Sequence, residues 1–567
     1  MYIQPRENIP RYIIYYTSRT SKETAHYHHI CTSDRNNMTA TSSSSKRTSS
    51  RGFDVEKFRH EGHAMVDYIA DYLDALNTKT PNKTFKEVLR VRPDVEPGFL
   101  DLDVDMMENG GEFADALTEF HTKVMPGVLH WQDPMFMSYF PSQMSYPALL
   151  GDLLSNAINT PSFSWLCNPA ASEMEVIVMD AICDAFGLPL ERFGWRQRGT
   201  KGLKGDKGGG VMQHSATDGM VVSAIAARDT KLRLHPEVKA TNLVAYVPEV
   251  SHFCSTKGAA CAGITHLRKI RCPWNDAANN WPMDVDQLEA AVKADIAAGL
   301  TPCFVTASIG ATGTCSIDPI NKVADIAKKY SMWFTVDAAY AGSASMVPEL
   351  RHHFNGWERA DTIIINGSKW FGCLFNSSFM FMADNKAVAA SLNHTAVYLK
   401  SGERPTKGVE VEEDGSDSGC QTVAADTYNP VDFKDLQLSL GKNWRSLKVW
   451  TMLRTMGFKD LRNMIREHIR LAKYIASQLN ESGYFEVLTS TDFGLVCFRP
   501  RGETEERVLE FLEEINKDRT TFMVNTVIES KAILRLSIAH PDFSDDDANW
   551  IINKLVTDAA DFGIQKA

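Results

Sequence analysis

The sequence predicts an α/β fold, a mostly parallel central sheet with helices on both faces and a smaller α/β domain after it. Two observations carry that reading. From Asn242 to Asn366, short runs of β-branched and aromatic residues alternate with segments of helical period. Polar residues able to do chemistry recur just after those runs, at His252, Thr312, Asp337 and Lys369. In a parallel sheet these positions lie beyond the carboxyl ends of the strands, where ligands bind.

Composition narrows the classes. The 567 residues can bury a large core and form more than one domain. A hydrophobic share of 44% and a charged share of 23% are ordinary for a soluble globular protein, and a formal charge of -11 argues against nucleic acid or an anionic membrane as partner. No apolar run is long enough to span a bilayer. The 11 cysteines include no CxxC pair, which suits a reducing compartment and predicts neither a disulfide framework nor a metal site.

Residues 1–52 are rich in Ser and Thr, densest from Thr39 to Ser50, and read as a disordered tail or an organelle-targeting segment. From Val55 to Leu76 the apolar positions Phe58, Met65, Tyr68, Ile69, Tyr72, Leu73 and Leu76 recur at helical spacing, an amphipathic helix that must cover its own domain or a partner. Aromatic loops follow at 130–142 and 161–165, either core packing or pocket wall. Glu175 to Phe186 reads as a helix and 194–210 as a Gly- and Lys-rich surface loop. Ser215, Ala216 and Thr217 then precede a good helix former, a pattern that fits an N-cap or a phosphate cradle.

Next come strands at 242–247 and 263–270, a helix at 287–300, a strand at 303–309, a glycine-rich turn at 310–314, a helix at 320–330, a strand over 333–342 that delivers Asp337, and the strand before Lys369. The C-terminal part reads as helices 446–453 and 459–479, strands 485–488 and 494–499, helix 505–515, strand 532–538 and helix 545–562.

Lys369 follows Ile363-Ile364-Ile365-Asn366-Gly367-Ser368, a buried strand whose Gly367 supplies permissive backbone for a turn into a loop. Among apolar neighbours its amine loses hydration, so its pKa falls and it becomes a nucleophile at neutral pH; a surface lysine after an edge strand is the plain alternative. A second strand delivers Asp337, followed by Ala338 and Ala339, small enough to leave room for a flat ring. A lysine for a Schiff base and a carboxylate for a pyridine nitrogen are what pyridoxal 5'-phosphate requires.

These residues, with Tyr139-Phe140-Pro141, Ser145-Tyr146-Pro147-Ala148, Val336 to Gly342, Asn366 to Trp370 and Arg445-Ser446-Leu447-Lys448-Val449-Trp450, resemble the group II pyridoxal-phosphate decarboxylases of the aromatic-L-amino-acid type. The resemblance implies the aspartate aminotransferase-like fold type I. It implies that Lys369 holds the cofactor, Asp337 pairs with its ring nitrogen and His252 stacks on the ring. Ser215, Ala216, Thr217 and Asn366 would take the phosphate, with Thr312 and Ala339 beside the ring. Trp131, Tyr139, Phe140, Ser142 and Gly441 would wall the substrate pocket, Phe163 would reach into the other subunit's site, and Tyr398 would return a proton to Cα.

The expected domains are a tail (1–52), a helical segment packing on the partner subunit (53–135), the large cofactor-binding domain (136–440, with a lid or solvated insertion near 399–430) and a small C-terminal domain (441–567). The expected activity is decarboxylation of DOPA, tyrosine, tryptophan or 5-hydroxytryptophan to the amine and CO2 by a cytoplasmic homodimer with a shared active site. An aromatic aldehyde synthase and a catalytically silent cofactor-binding dimer are the alternatives. Departures from the pattern are Gly367-Ser368 before the lysine, His214 beside the phosphate residues, and Lys434.

Overall fold

The computed structural model describes residues 53–77, 90–102, 104–196, 208–393 and 431–566. The chain divides into two compact units, Met1–Ala64 and Met65–Ala567. In the first, the helix Val55–Asn77 begins after Asp54, whose Oδ1 accepts from the backbone N–H groups of Glu56 and Lys57 at 3.0 Å each. An acceptor there satisfies donors that the helix start leaves unpaired.

The second unit is built on a seven-stranded sheet. Its strands are β1 (Gly209–Gln213), β2 (Leu243–Pro248), β3 (His266–Ile270), β4 (Thr301–Ser308), β5 (Trp333–Asp337), β6 (Thr362–Asn366) and β7 (Ser378–Met382), in the order β1-β7-β6-β5-β4-β2-β3. Strands β2 to β6 pair in parallel, while β7 runs antiparallel to both β1 and β6. Near-continuous burial along β2, β4, β5, β6 and β7 explains their unbroken apolar runs, because helices cover both faces. Strand β6 therefore sits inside the sheet, and Lys369 does not follow an edge strand.

Three buried hydroxyls fix the helix Ala216–Leu234 to this sheet. Ser223 Oγ lies 2.6 Å from Thr335 Oγ1 on β5 and 2.6 Å from Thr362 Oγ1 on β6, and the two threonines are 2.7 Å apart. Each polar atom pairs with the others, which offsets the cost of burying them. The closed ring sets the helix's register against the two strands that deliver Asp337 and Lys369.

A second sheet comprises β8 (Phe485–Val487), β9 (Leu495–Pro500), β10 (Val524–Ile528) and β11 (Lys531–Ser537), antiparallel in the order β10-β11-β9-β8. Its core joins the helices Gly457–Glu481, Glu505–Lys517 and Asp545–Asp561. Strands β10 and β11 meet through Glu529 (φ 50°) and Ser530 (φ 64°), a two-residue turn with both residues left-handed.

Several sequence expectations change. Residues 209 and 210 open a buried strand instead of closing a surface loop; a Cβ on Gly209 would meet the Trp195 ring at 2.6 Å, and one on Gly210 would meet Met179 at 2.6 Å. The helix expected from Glu175 begins at Pro169, capped by Asn168, whose side chain accepts from Ala171 N. The strand expected over 333–342 stops at Asp337, and Ala338 packs into the core rather than beside a ring. Gly367 starts a short helix, Gly367–Trp370, with no left-handed φ. Glycine is required there by close approach, since a Cβ would sit 2.6 Å from both the Phe379 ring and the Ser377 carbonyl. Strands β1, β7 and β10 were not expected.

Candidate active site

The carboxyl ends of the strands converge on one cavity of about 140 Å³, and most of the expected site residues line it. Strand β1 leads into Ser215, Ala216 and Thr217; β2 into His252; β4 into Thr312; β5 ends at Asp337 and leads into Ala339; β6 ends at Asn366 and leads into Lys369. Phe140 adds an aromatic wall.

Lys369 projects from the helix that follows β6 at once. Asn366 caps that helix, its Oδ1 accepting from Ser368 N at 3.1 Å and from the Ser368 hydroxyl at 2.7 Å. The Lys369 ammonium lies 5.4 Å from the centre of the Phe140 ring. Burial pulls its pKa below the ordinary lysine range, and the Asp337 carboxylate pulls the other way. An amine in this setting is a usable nucleophile.

Asp337 is buried, and its Oδ1 accepts from Ala339 N at 3.0 Å. Its Oδ2 accepts from the Cys254 thiol at 3.5 Å. His252 caps the helix Phe253–Cys261, its Nδ1 accepting from Cys254 N at 3.2 Å. Burial, then the nearby Lys369, lowers the His252 pKa, so the ring is neutral with its proton on Nε2.

The Ser215 hydroxyl accepts from Asp218 N at 3.2 Å and donates to Asp218 Oδ2 at 2.9 Å. It therefore caps the helix Ala216–Leu234 while lining the cavity, so cap and cradle are one feature. The first N–H groups of that helix have no intrahelical partner and favour an anion. A buried amine, a fixed carboxylate and an anion cradle around one cavity fit pyridoxal phosphate.

The remaining expected residues lie elsewhere. Tyr139 lines a wider cleft of about 970 Å³ that also takes in His252 and Thr312. It is left-handed (φ 59°), a costly conformation for an aromatic residue. Trp131 stands behind it, stacked at 5.5 Å with 7° between the planes. Ser142 is buried, its carbonyl accepting from Gln132 Nε2 at 2.8 Å. Phe163 and Gly441 fall on a strip joined by Ser162 N donating to Lys442 O at 2.8 Å, and neither lines the cavity. Tyr398 and the expected lid lie outside the described residues.

Three residues were missed. Tyr340 lines the cavity and stacks on Phe140 at 3.6 Å and on Trp370 at 4.9 Å. Arg535 on β11 is buried; it donates to Gly313 O at 3.0 Å and Tyr139 O at 3.1 Å, with its guanidinium 5.2 Å from the Phe140 ring centre. A charged residue inside the apolar run of β11 was the available signal. Cys254, two residues after His252, offered none. Among the described residues no cluster of three or more His, Cys, Asp or Glu could hold a metal ion, and no helix is long and apolar enough to cross a membrane.

The family model for the pyridoxal-dependent decarboxylase conserved domain matches residues 99–501. Tryptophan decarboxylase 2 of Oryza sativa subsp. japonica is 34% identical over 520 residues, 90% of this chain and 96% of that protein. Phenylacetaldehyde synthase of Arabidopsis thaliana is 35% identical over 496 residues, 86% of this chain and 93% of that protein. Among solved structures, Oryza sativa TDC with PLP and tryptamine superposes with a TM-score of 0.78 at 29% identity, covering 91% of this chain and 100% of that one.

Proposed function

Since the chain belongs to the pyridoxal-dependent decarboxylases, fold type I carboxy-lyases acting on aromatic amino acids, we propose that it converts DOPA, tyrosine, tryptophan or 5-hydroxytryptophan to the corresponding amine and CO2. The observation that carries this reading is the convergence of Lys369, Asp337, His252 and the cradle at 215–217 on one cavity. When bound, pyridoxal phosphate supplies an electron sink for the charge left on Cα as CO2 departs.

This chain's residues do the rest. Lys369 would hold the cofactor; Ser215, Ala216, Thr217 and Asn366 would take its phosphate; Asp337 would keep its ring nitrogen protonated. Thr312 and Ala339, which line the same cavity, would sit beside the ring. His252, neutral and fixed through Nδ1, would lie over the ring, exclude water and orient the departing carboxylate. Tyr398 is assigned the return of the proton to Cα, on the family resemblance alone. Phe140, Tyr139, Trp131, Ser142 and Gly441 are assigned to the substrate side chain.

We further propose a homodimer in which Phe163 enters the partner's site. The helix Tyr146–Ile158 supports it. One face, through Gly151, packs so closely on the helix Arg445–Thr455 that a Cβ would lie 2.8 Å from Lys448 Cα. Its other face exposes Leu150, Leu153, Leu154 and Ile158 at helical spacing, a stripe suited to burial against a second copy. The nine free thiols among the described residues support a reducing, cytoplasmic setting.

The 35% identity to a phenylacetaldehyde synthase favours a second reading, in which oxygen consumes the intermediate and an aldehyde forms. The retention of both His252 and Tyr398 favours the amine, because aldehyde-forming relatives typically alter one of them. Purified protein loaded with pyridoxal phosphate and offered each aromatic amino acid separately, with amine, aldehyde, ammonia and peroxide quantified, decides between them. Amine with CO2 is the expected result; stoichiometric peroxide and ammonia would overturn it.

A further inference from the structure

Asp337 must stay ionised and keep one orientation if it is to hold a protonated ring nitrogen. Its two oxygens have different supports. Oδ1 takes the backbone N–H of Ala339 at 3.0 Å, a contact internal to the turn after β5. Oδ2 takes the thiol of Cys254 at 3.5 Å, from a helix that begins after a different strand, β2. Cys254 is 1% exposed and lines the same cavity as Asp337 and Lys369.

We infer that Cys254 is a positioning residue for the cofactor, its S–H holding Oδ2 of Asp337 so that the carboxylate stays aimed at the ring nitrogen. The inference rests on the reading of Asp337 given above. Burial first, then the Asp337 charge, raises the Cys254 pKa, so the sulfur keeps its proton and acts as a donor. The same helix carries His252 at its N-cap, so the residue over the ring and the residue steering the ring's counter-charge are mounted on one element. A thiol is a weak donor, and its grip on the carboxylate is accordingly modest.

The test compares the full-length protein with Cys254→Ala, Cys254→Val and Cys254→Ser. Ala removes the donor by shortening the side chain and Val removes it while filling the site; Ser restores one. The readouts are the Kd for pyridoxal phosphate, followed by its visible absorbance, and kcat and KM for the preferred amino acid. Ala and Val are expected to weaken cofactor binding by about fivefold and lower kcat with KM little changed, with Ser close to the parent. Parental cofactor affinity and kcat in Ala and Val would overturn the inference. So would a Ser variant as impaired as Ala and Val, because the position would then serve packing alone. If the parent itself gains no visible absorbance with pyridoxal phosphate, both this inference and the reading of Asp337 fall, an outcome distinct from either of the others.

Discussion

The indole N–H of Trp370 donates to Nδ1 of His468 at 3.0 Å, tying the residue after Lys369 to the long helix Gly457–Glu481. His468 in turn donates from Nε2 to the carbonyl of His540 at 2.9 Å. Accepting at Nδ1 requires a neutral imidazole, and donating from Nε2 puts its one proton there.

Acid should therefore loosen this junction. Burial lowers the His468 pKa from 6.5 to about 4, so between those values the unfolded chain binds the proton that the folded chain refuses. The contribution is fully present above about pH 6.5 and lost as pH falls towards 4, by at most about 3 kcal/mol. Urea unfolding from pH 7.5 to 4.5 should show this slope, and His468→Gln should flatten it while lowering stability at neutral pH. An unchanged slope in the variant would refute the assignment.

Lys369→Ala should abolish the visible absorbance that appears when pyridoxal phosphate is added, and reduce turnover to background. Circular dichroism should show the fold intact, because Lys369 faces a cavity and not the core. A variant that still develops the parental spectrum would mean that another amine holds the cofactor.

Gly441 has nothing within 4 Å of where a Cβ would stand. Gly441→Ser should leave the melting temperature within about 2 °C of the parent, since exposed substitutions cost little. If Gly441 walls the substrate pocket of the assembled enzyme, KM for indole substrates should rise severalfold. Unaltered KM for every aromatic amino acid would remove it from the pocket.

Leu150 and Leu154 are each 52% exposed on the helix Tyr146–Ile158. Changing both to Glu should give a monomer in sedimentation at micromolar concentration, with turnover lost in parallel. A dimer that survives the double change would place the interface elsewhere.

The sequence disclosed the central sheet because fully buried strands leave unbroken apolar runs, as Ile363-Ile364-Ile365 does in β6. It hid β1 because close packing against Trp195 and Met179 demands glycines, which read as loop. It hid β10 because the hairpin turns at Glu529-Ser530, not at the usual Asn-Gly. Lys369, Asp337 and His252 were legible since each ends or follows a recognisable strand, and Ser215 because small hydroxyl residues precede a good helix former. Arg535 and Cys254 were not, because their partners lie far away in sequence: Tyr139 for the arginine and Asp337 for the thiol.

The wide cleft beside His252 has one bank from the seven-stranded sheet and the other from β10 and β11, through Asn525, Thr526 and Arg535. The cleft thus draws on both halves of the chain. A chimaera that exchanged the C-terminal sheet with that of a relative would leave Lys369, Asp337 and His252 in place and replace the cleft's far bank, so what the cleft admits can be altered far from Lys369 in sequence.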